Sequence, residues 1–110
     1  MNIVEKTPGR KIDFETTQKS IIFGDDDLSI NLKNREMDET VLIDVCADNN
    51  GFLVIGATIG RRYVAQVEIP ARSYVDTQKG KDSEGNPITE RTPVDFDIDN
   101  CTVFLWGLEG

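Results

Sequence analysis

Three features of this chain predict an all-β fold, an antiparallel β-sandwich or barrel, with a jelly-roll-like form of it included. From Ile12 to Leu108 apolar and polar residues alternate with a period of two. Successive strand side chains point to opposite faces, so this alternation writes a sheet with one buried face. Clusters of Gly, Asn and Asp break the pattern at intervals of about ten residues, the spacing of strands in sandwiches and barrels. Almost no segment carries a helical period.

Each element follows in turn. Residues 1–10 hold Pro8-Gly9 and little periodicity, and are expected as a flexible N-terminal arm or an edge segment. Residues 11–110 then form a single β domain. Ile12–Thr17 and Ser20–Phe23 read as two short strands or one bent strand, and Gly24-Asp25-Asp26-Asp27 as a turn. Leu28–Lys33 is a strand, its apolar members Leu28, Ile30 and Leu32 on one side. Asn34–Glu39 is a charged loop or a single helical turn. Val41–Ala47 and Phe52–Thr58 flank Asp48-Asn49-Asn50-Gly51, a tight hairpin tip, because Asn and Gly tolerate positive φ. Both runs carry apolar residues on both faces (Val41, Leu42 and Ile43; Phe52, Leu53 and Val54), which places them at the centre of the assembly.

Ile59-Gly60 leads into a strand over Arg61–Ile69, ended by Pro70, which lacks the N–H that a central ladder needs. Arg72–Thr77 is extended again. Gln78–Thr92 is the longest polar stretch, tipped by Asp82-Ser83-Glu84-Gly85-Asn86-Pro87, and reads as a hairpin projecting from the core. Its Lys79 and Lys81 are placed to face Glu90 across the strands. Pro93–Ile98 and Cys101–Leu108 supply the last strands, joined at Asp99-Asn100.

Composition limits the function classes. With 110 residues, 38% hydrophobic and 29% charged, the chain suits one globular domain and is too apolar for disorder. A domain of this size buries roughly 65% of its unfolded surface, enough for one core without staples. No run approaches the ~20 apolar residues of a membrane helix, and no leader is evident, so no membrane partner and a cytoplasmic setting are expected. The net charge of −8, from 20 acids against 12 bases, repels the phosphate backbone of nucleic acid, although Arg61-Arg62 could form a local basic patch. Cys46 and Cys101 lie in strand-like runs and are expected as reduced, buried thiols.

No catalytic residue is expected. The chain has no histidine to shuttle protons at neutral pH, and Ser20, Ser29, Ser73 and Ser83 stand outside any nucleophile elbow. No phosphate- or dinucleotide-binding glycine pattern occurs, so no cofactor is expected. Two acidic groups are the candidates for a metal. Asp95-Phe96-Asp97-Ile98-Asp99-Asn100 matches the first three acidic positions of a calcium loop. It departs from that loop at Asn100, where glycine is needed, and at Trp106, where a bidentate Glu is needed. A strand with Asp95, Asp97 and Asp99 outward and Phe96 and Ile98 inward explains the same residues. Asp25, Asp26 and Asp27 could give half of a hard-cation site, but turn chemistry alone selects them. No metal is therefore expected. Phe104 and Trp106 share one side of the last strand, and Trp106 is either core or offered to a partner.

Ile69-Pro70-Ala71-Arg72-Ser73-Tyr74, Pro93-Val94-Asp95-Phe96-Asp97 and Cys101-Thr102-Val103-Phe104-Leu105-Trp106 span the C-terminal third. There the chain resembles small bacteriophage- and prophage-encoded structural proteins. The resemblance implies a structural or assembly part of a particle, and rests on no catalytic motif. The expected function is a non-enzymatic structural or interaction module whose 78–92 hairpin engages a protein partner or a second copy. The alternative is a ligand-binding β-sandwich, for carbohydrate or dependent on calcium, which would need exposed, coplanar Tyr63, Tyr74 or Trp106, or acids converging on Asp25–Asp27. An enzyme using carboxylates alone is the remaining class.

Overall fold

The computed structural model describes residues 1–56 and 62–108 of the chain. Among these residues ten strands run in the order β1 (Asn2–Glu5), β2 (Phe14–Thr16), β3 (Ser20–Phe23), β4 (Leu28–Asn31), β5 (Val41–Ala47), β6 (Leu53–Ile55), β7 (Arg62–Ile69), β8 (Tyr74–Lys81), β9 (Pro87–Pro93) and β10 (Thr102–Leu105). Single 3-10 turns occupy Lys33–Arg35 and Ile98–Asn100. A five-stranded sheet, ordered β1-β10-β7-β5-β6, faces a three-stranded sheet, β2-β3-β4, while β8 and β9 form a separate ribbon. The fold is all-β and sandwich-like, and among the described residues no sheet closes into a barrel. Every strand pair is antiparallel except β1 with β10.

One core fills the space between the two larger sheets. Ile21, Phe23, Ile30 and Leu32 come from the small sheet and its end; Ile43, Val45, Val67, Ile69, Val103 and Leu105 come from the large one. These are the inward members of the alternation, and each contributes roughly 1.5–3 kcal/mol by leaving water. Phe14 packs on Phe23, with ring centroids 6.1 Å apart. Cys46 and Cys101 are not joined in a disulfide, and neither has exposed surface.

The period of two breaks once in the large sheet. Val45 pairs with Ala65, but Cys46 pairs with Tyr63, so Val64 is an extra residue. A bulge of this kind bends its strand and lets two consecutive side chains face inward. Val64 and Ala65 are accordingly 4% and 0% exposed.

Both predicted tips form, and they share one chemistry. In Asp48-Asn49-Asn50-Gly51-Phe52 the Asp48 carboxylate accepts from the Asn50 and Phe52 N–H groups, and Gly51 adopts φ 83°. In Asp82-Ser83-Glu84-Gly85-Asn86 the Asp82 carboxylate accepts from the Glu84 and Asn86 N–H groups, and Gly85 adopts φ 82°. Only glycine takes that angle without strain.

Four expectations need correction. Of the two forms expected for residues 1–10, the edge segment holds and the flexible arm does not: β1 joins the large sheet as its edge strand, because the Asn2 N–H donates to the Cys101 carbonyl and the Lys6 N–H to the Leu105 carbonyl. The run expected over Phe52–Thr58 is β6, an edge strand, with Phe52 69% and Ile55 41% exposed; residues 57 and 58 lie outside the described ones. The outer face of the large sheet is likewise uncovered at Leu42, which is 56% exposed. Pro93–Ile98 is not a strand beyond Pro93. Asp97 accepts from the Asp99 N–H, and this local bond turns the chain into the 3-10 turn, although Phe96 and Ile98 still face the core as expected. Ile59, Gly60 and Arg61 fall outside the described residues, so of the Arg61-Arg62 pair only Arg62, exposed at the start of β7, is described.

Candidate functional site

Two features stand apart from the core: an arm and a cleft. The arm is the β8–β9 ribbon, which begins four residues earlier than the expected 78–92 boundary, at Tyr74. All of its residues are exposed except Tyr74. Its alternation buries nothing, so it projects, and the molecule measures 70 × 25 × 23 Å. Lys79 faces Glu90 across the strands at 3.5 Å, as the sequence led one to expect.

The root of the arm is fixed by a side chain outside any motif. Arg72 donates through Nη2 to the Glu36 carbonyl at 2.9 Å and lies 3.4 Å from both the Glu36 and Asp38 carboxylates. The Tyr74 hydroxyl donates to the same Asp38 carboxylate, and Arg91 covers the Tyr74 ring at 4.2 Å. Backbone bonds add to this, from the Arg72 N–H to the Met37 carbonyl and from the Val94 N–H to the Ser73 carbonyl, each 2.8 Å. The acids of Asn34–Glu39, read from sequence as a charged loop, are thus the seat of the ribbon. The only sequence signal was an arginine two residues before a tyrosine at the foot of a polar hairpin.

The cleft opens at the other end of the sandwich and encloses about 650 Å³. Its floor is apolar, with Ile12, Leu53, Val64 and Leu108; Tyr63 and Trp106 form a wall, and Asp27 and Arg62 are its charged lining residues. The bulge builds this wall. The Val64 carbonyl accepts from the Trp106 N–H at 3.1 Å, which seats Trp106 beside Tyr63, their centroids 5.2 Å apart and their planes tilted by 34°. Trp106 is therefore neither wholly core nor free, but a half-buried wall. Burial and then the neighbouring Asp44 raise the Tyr63 phenol above its ordinary pKa. Asp44 also accepts from the Gln66 amide at 2.8 Å. A carbohydrate platform asks for coplanar exposed rings; here two rings lean on each other, and the Tyr74 ring lies under Arg91.

The candidate metal ligands are dispersed. Asp97 caps the 3-10 turn, Asp99 lies 3.4 Å from the Met1 ammonium group, and Asp95 is exposed nearby. Asp25, Asp26 and Asp27 form an exposed turn in which Asp26 adopts φ 62°. Among the described residues, no three His, Cys, Asp or Glu side chains converge as metal ligands. Among the described residues, no helix is long and apolar enough to cross a membrane. Cys101 is buried against the core, and desolvation pushes its thiol up to about 11. No family model, curated protein or solved structure matches the chain.

Proposed function

We propose that this protein is a non-enzymatic structural module, of the kind found in phage or prophage particles and their assembly, that engages a protein neighbour through the β8–β9 arm. The observation that carries the reading is a rooted ribbon exposing every residue beyond Tyr74. A two-stranded ribbon alone is marginally stable in water, so an arm of this length gains its order from contact with a partner. Long loops with organised ends are more often functional than incidental.

Replacing Lys79–Arg91 by two glycines tests it. Apart from Arg91, which covers the Tyr74 ring, the deleted residues are exposed and make none of the root's contacts, so the circular dichroism spectrum and melting temperature should stay close to those of the body, while association measured by light scattering falls. An arm-less protein that associates as the full chain does would overturn the reading. Unfolding of the deleted chain would overturn it as well, by assigning the ribbon to the core.

A further inference from the structure

The arm and the cleft occupy opposite poles of the molecule. β7 starts at Arg62, beside the cleft wall, and ends at Ile69, after which Pro70–Ser73 lead directly into the arm. A strand of eight residues spans about 26 Å. β7 and β8 both have that length, and placed end to end they account for most of the 70 Å long axis. A chain's arm therefore points away from its own cleft and can reach only the cleft of another molecule.

The two ends also match in chemistry. Near the arm's tip stands one large aliphatic side chain, Ile88, 46% exposed and next to Pro87. The ladder skips from Gln78–Thr89 to Lys81–Pro87, so no residue is paired directly opposite Ile88. Lys79 and Lys81 flank it on the other strand. The cleft is apolar at its floor, and Asp27 and Arg62 line it as well; Asp25 and Asp26, exposed beside Asp27 in the same turn, leave its border acidic on balance. Charge is segregated in the same sense. Asp76, Asp82, Glu84 and Glu90 against Lys79, Lys81 and Arg91 leave the arm with only one of the eight net negative charges. The Lys79–Glu90 pair is exposed on both sides, and a pair of that kind is held weakly enough to be redirected.

We infer that the arm of one copy seats Pro87 and Ile88 in the cleft of a second copy, with Lys79 and Lys81 against the Asp25–Asp27 turn. This rests on the arm being the interaction element and names its partner. A cleft of about 650 Å³ takes a short piece of ribbon rather than one side chain. The contact is head-to-tail, each molecule giving an arm and receiving one, and such a contact propagates into rings or filaments.

Sedimentation velocity on the full chain, from micromolar to millimolar concentration, tests the inference with two defective variants. Ile88→Asp spoils the arm and leaves the cleft; Leu53→Lys spoils the cleft and leaves the arm. The wild type should grow beyond a dimer as concentration rises, and less so in high salt, which screens the lysine–aspartate attraction. Each variant alone should stay monomeric. Mixed in equal amounts they should form a dimer that grows no further, because only one good arm and one good cleft remain. Should Leu53→Lys fail to fold by circular dichroism, Leu108→Trp, which fills the cleft with apolar bulk, takes its place. Association of Ile88→Asp equal to that of the wild type, or a mixture of folded variants that stays monomeric, overturns the inference. A wild type that is monomeric throughout overturns self-docking alone; an arm whose deletion then abolishes binding to a different protein keeps the broader reading.

Discussion

Replacing the buried thiol of Cys101 should expose how tightly the sandwich is closed at the β1–β10 edge. The side chain has no exposed surface, and burial lifts its pKa to about 11. At pH 8 such a thiol is thiolate in roughly one molecule per thousand, against about one in ten for an unburied thiol near 9. Ionisation alone therefore slows alkylation about 100-fold, before any limit on access is counted. The assay is a timed pulse of iodoacetamide on the native protein, followed by trypsin and mass spectrometry. Cleavage after Arg35 and Arg61 isolates Cys46, and cleavage after Arg91 isolates Cys101, so each thiol is read separately. Cys101→Ser should cost about 1–3 kcal/mol, because its hydroxyl is buried without a built partner. At roughly 4 °C per kcal/mol, that lowers the melting temperature by about 4–12 °C. Cys101→Ala removes the polar atom altogether and should cost less than Ser. Labelling of Cys101 at the unfolded rate in folded protein, or a serine variant as stable as the alanine one, would refute the argument.

Stability should also fall in alkali. The unfolded chain gives up the Cys101 proton near pH 9 and the folded one only near 11, so the contribution of the neutral buried thiol is whole below pH 9 and lost as pH rises toward 11. At most about 3 kcal/mol is involved, and the difference between wild type and Cys101→Ala in urea melts across that window isolates it. Gly107→Ala should destabilise the cleft end, since a Cβ there would run into the Pro8 carbonyl and press on Thr7, whose hydroxyl accepts from the Gly107 N–H. A loss of about 1–3 kcal/mol, with a shift in Trp106 fluorescence, is expected; an unchanged melt would remove that close approach from the account.

What the sequence made legible was what local chemistry decides. Ile21, Phe23, Ile30, Ile43 and Val45 face the core because a strand has two faces and only one is covered. Asp48 with Gly51, and Asp82 with Gly85, fix their tips through bonds within five residues. Asp95–Asp99 shows the limit of the pattern: the inward and outward faces follow it, while one carboxylate-to-backbone bond replaces the strand by a turn. The cleft was not legible, because its parts come from remote segments such as Asp27, Leu53 and Leu108, brought together only by the pairing of the sheets. Nor was the edge position of β6, since Phe52 and Ile55 are apolar yet exposed. Pattern alone cannot tell an apolar residue covered by a neighbour from one awaiting a partner.

The parallel pairing of β1 with β10 sets an order on how the molecule can be completed. Thr7 and Gly107, which close that end, are 100 residues apart in the chain. During synthesis β1 leaves the ribosome before β10 is made, and waits undocked, carrying Ile3 and Val4, until β10 has paired with β7. Closing so long a loop is slow compared with forming the neighbouring hairpins. Until it closes, the free edge of β10 is an open row of backbone donors and acceptors that another chain can occupy. The sandwich is therefore sealed last at this edge, and a lesion in Asn2–Glu5 should show itself first as aggregation during refolding, before it appears as loss of stability in the finished protein.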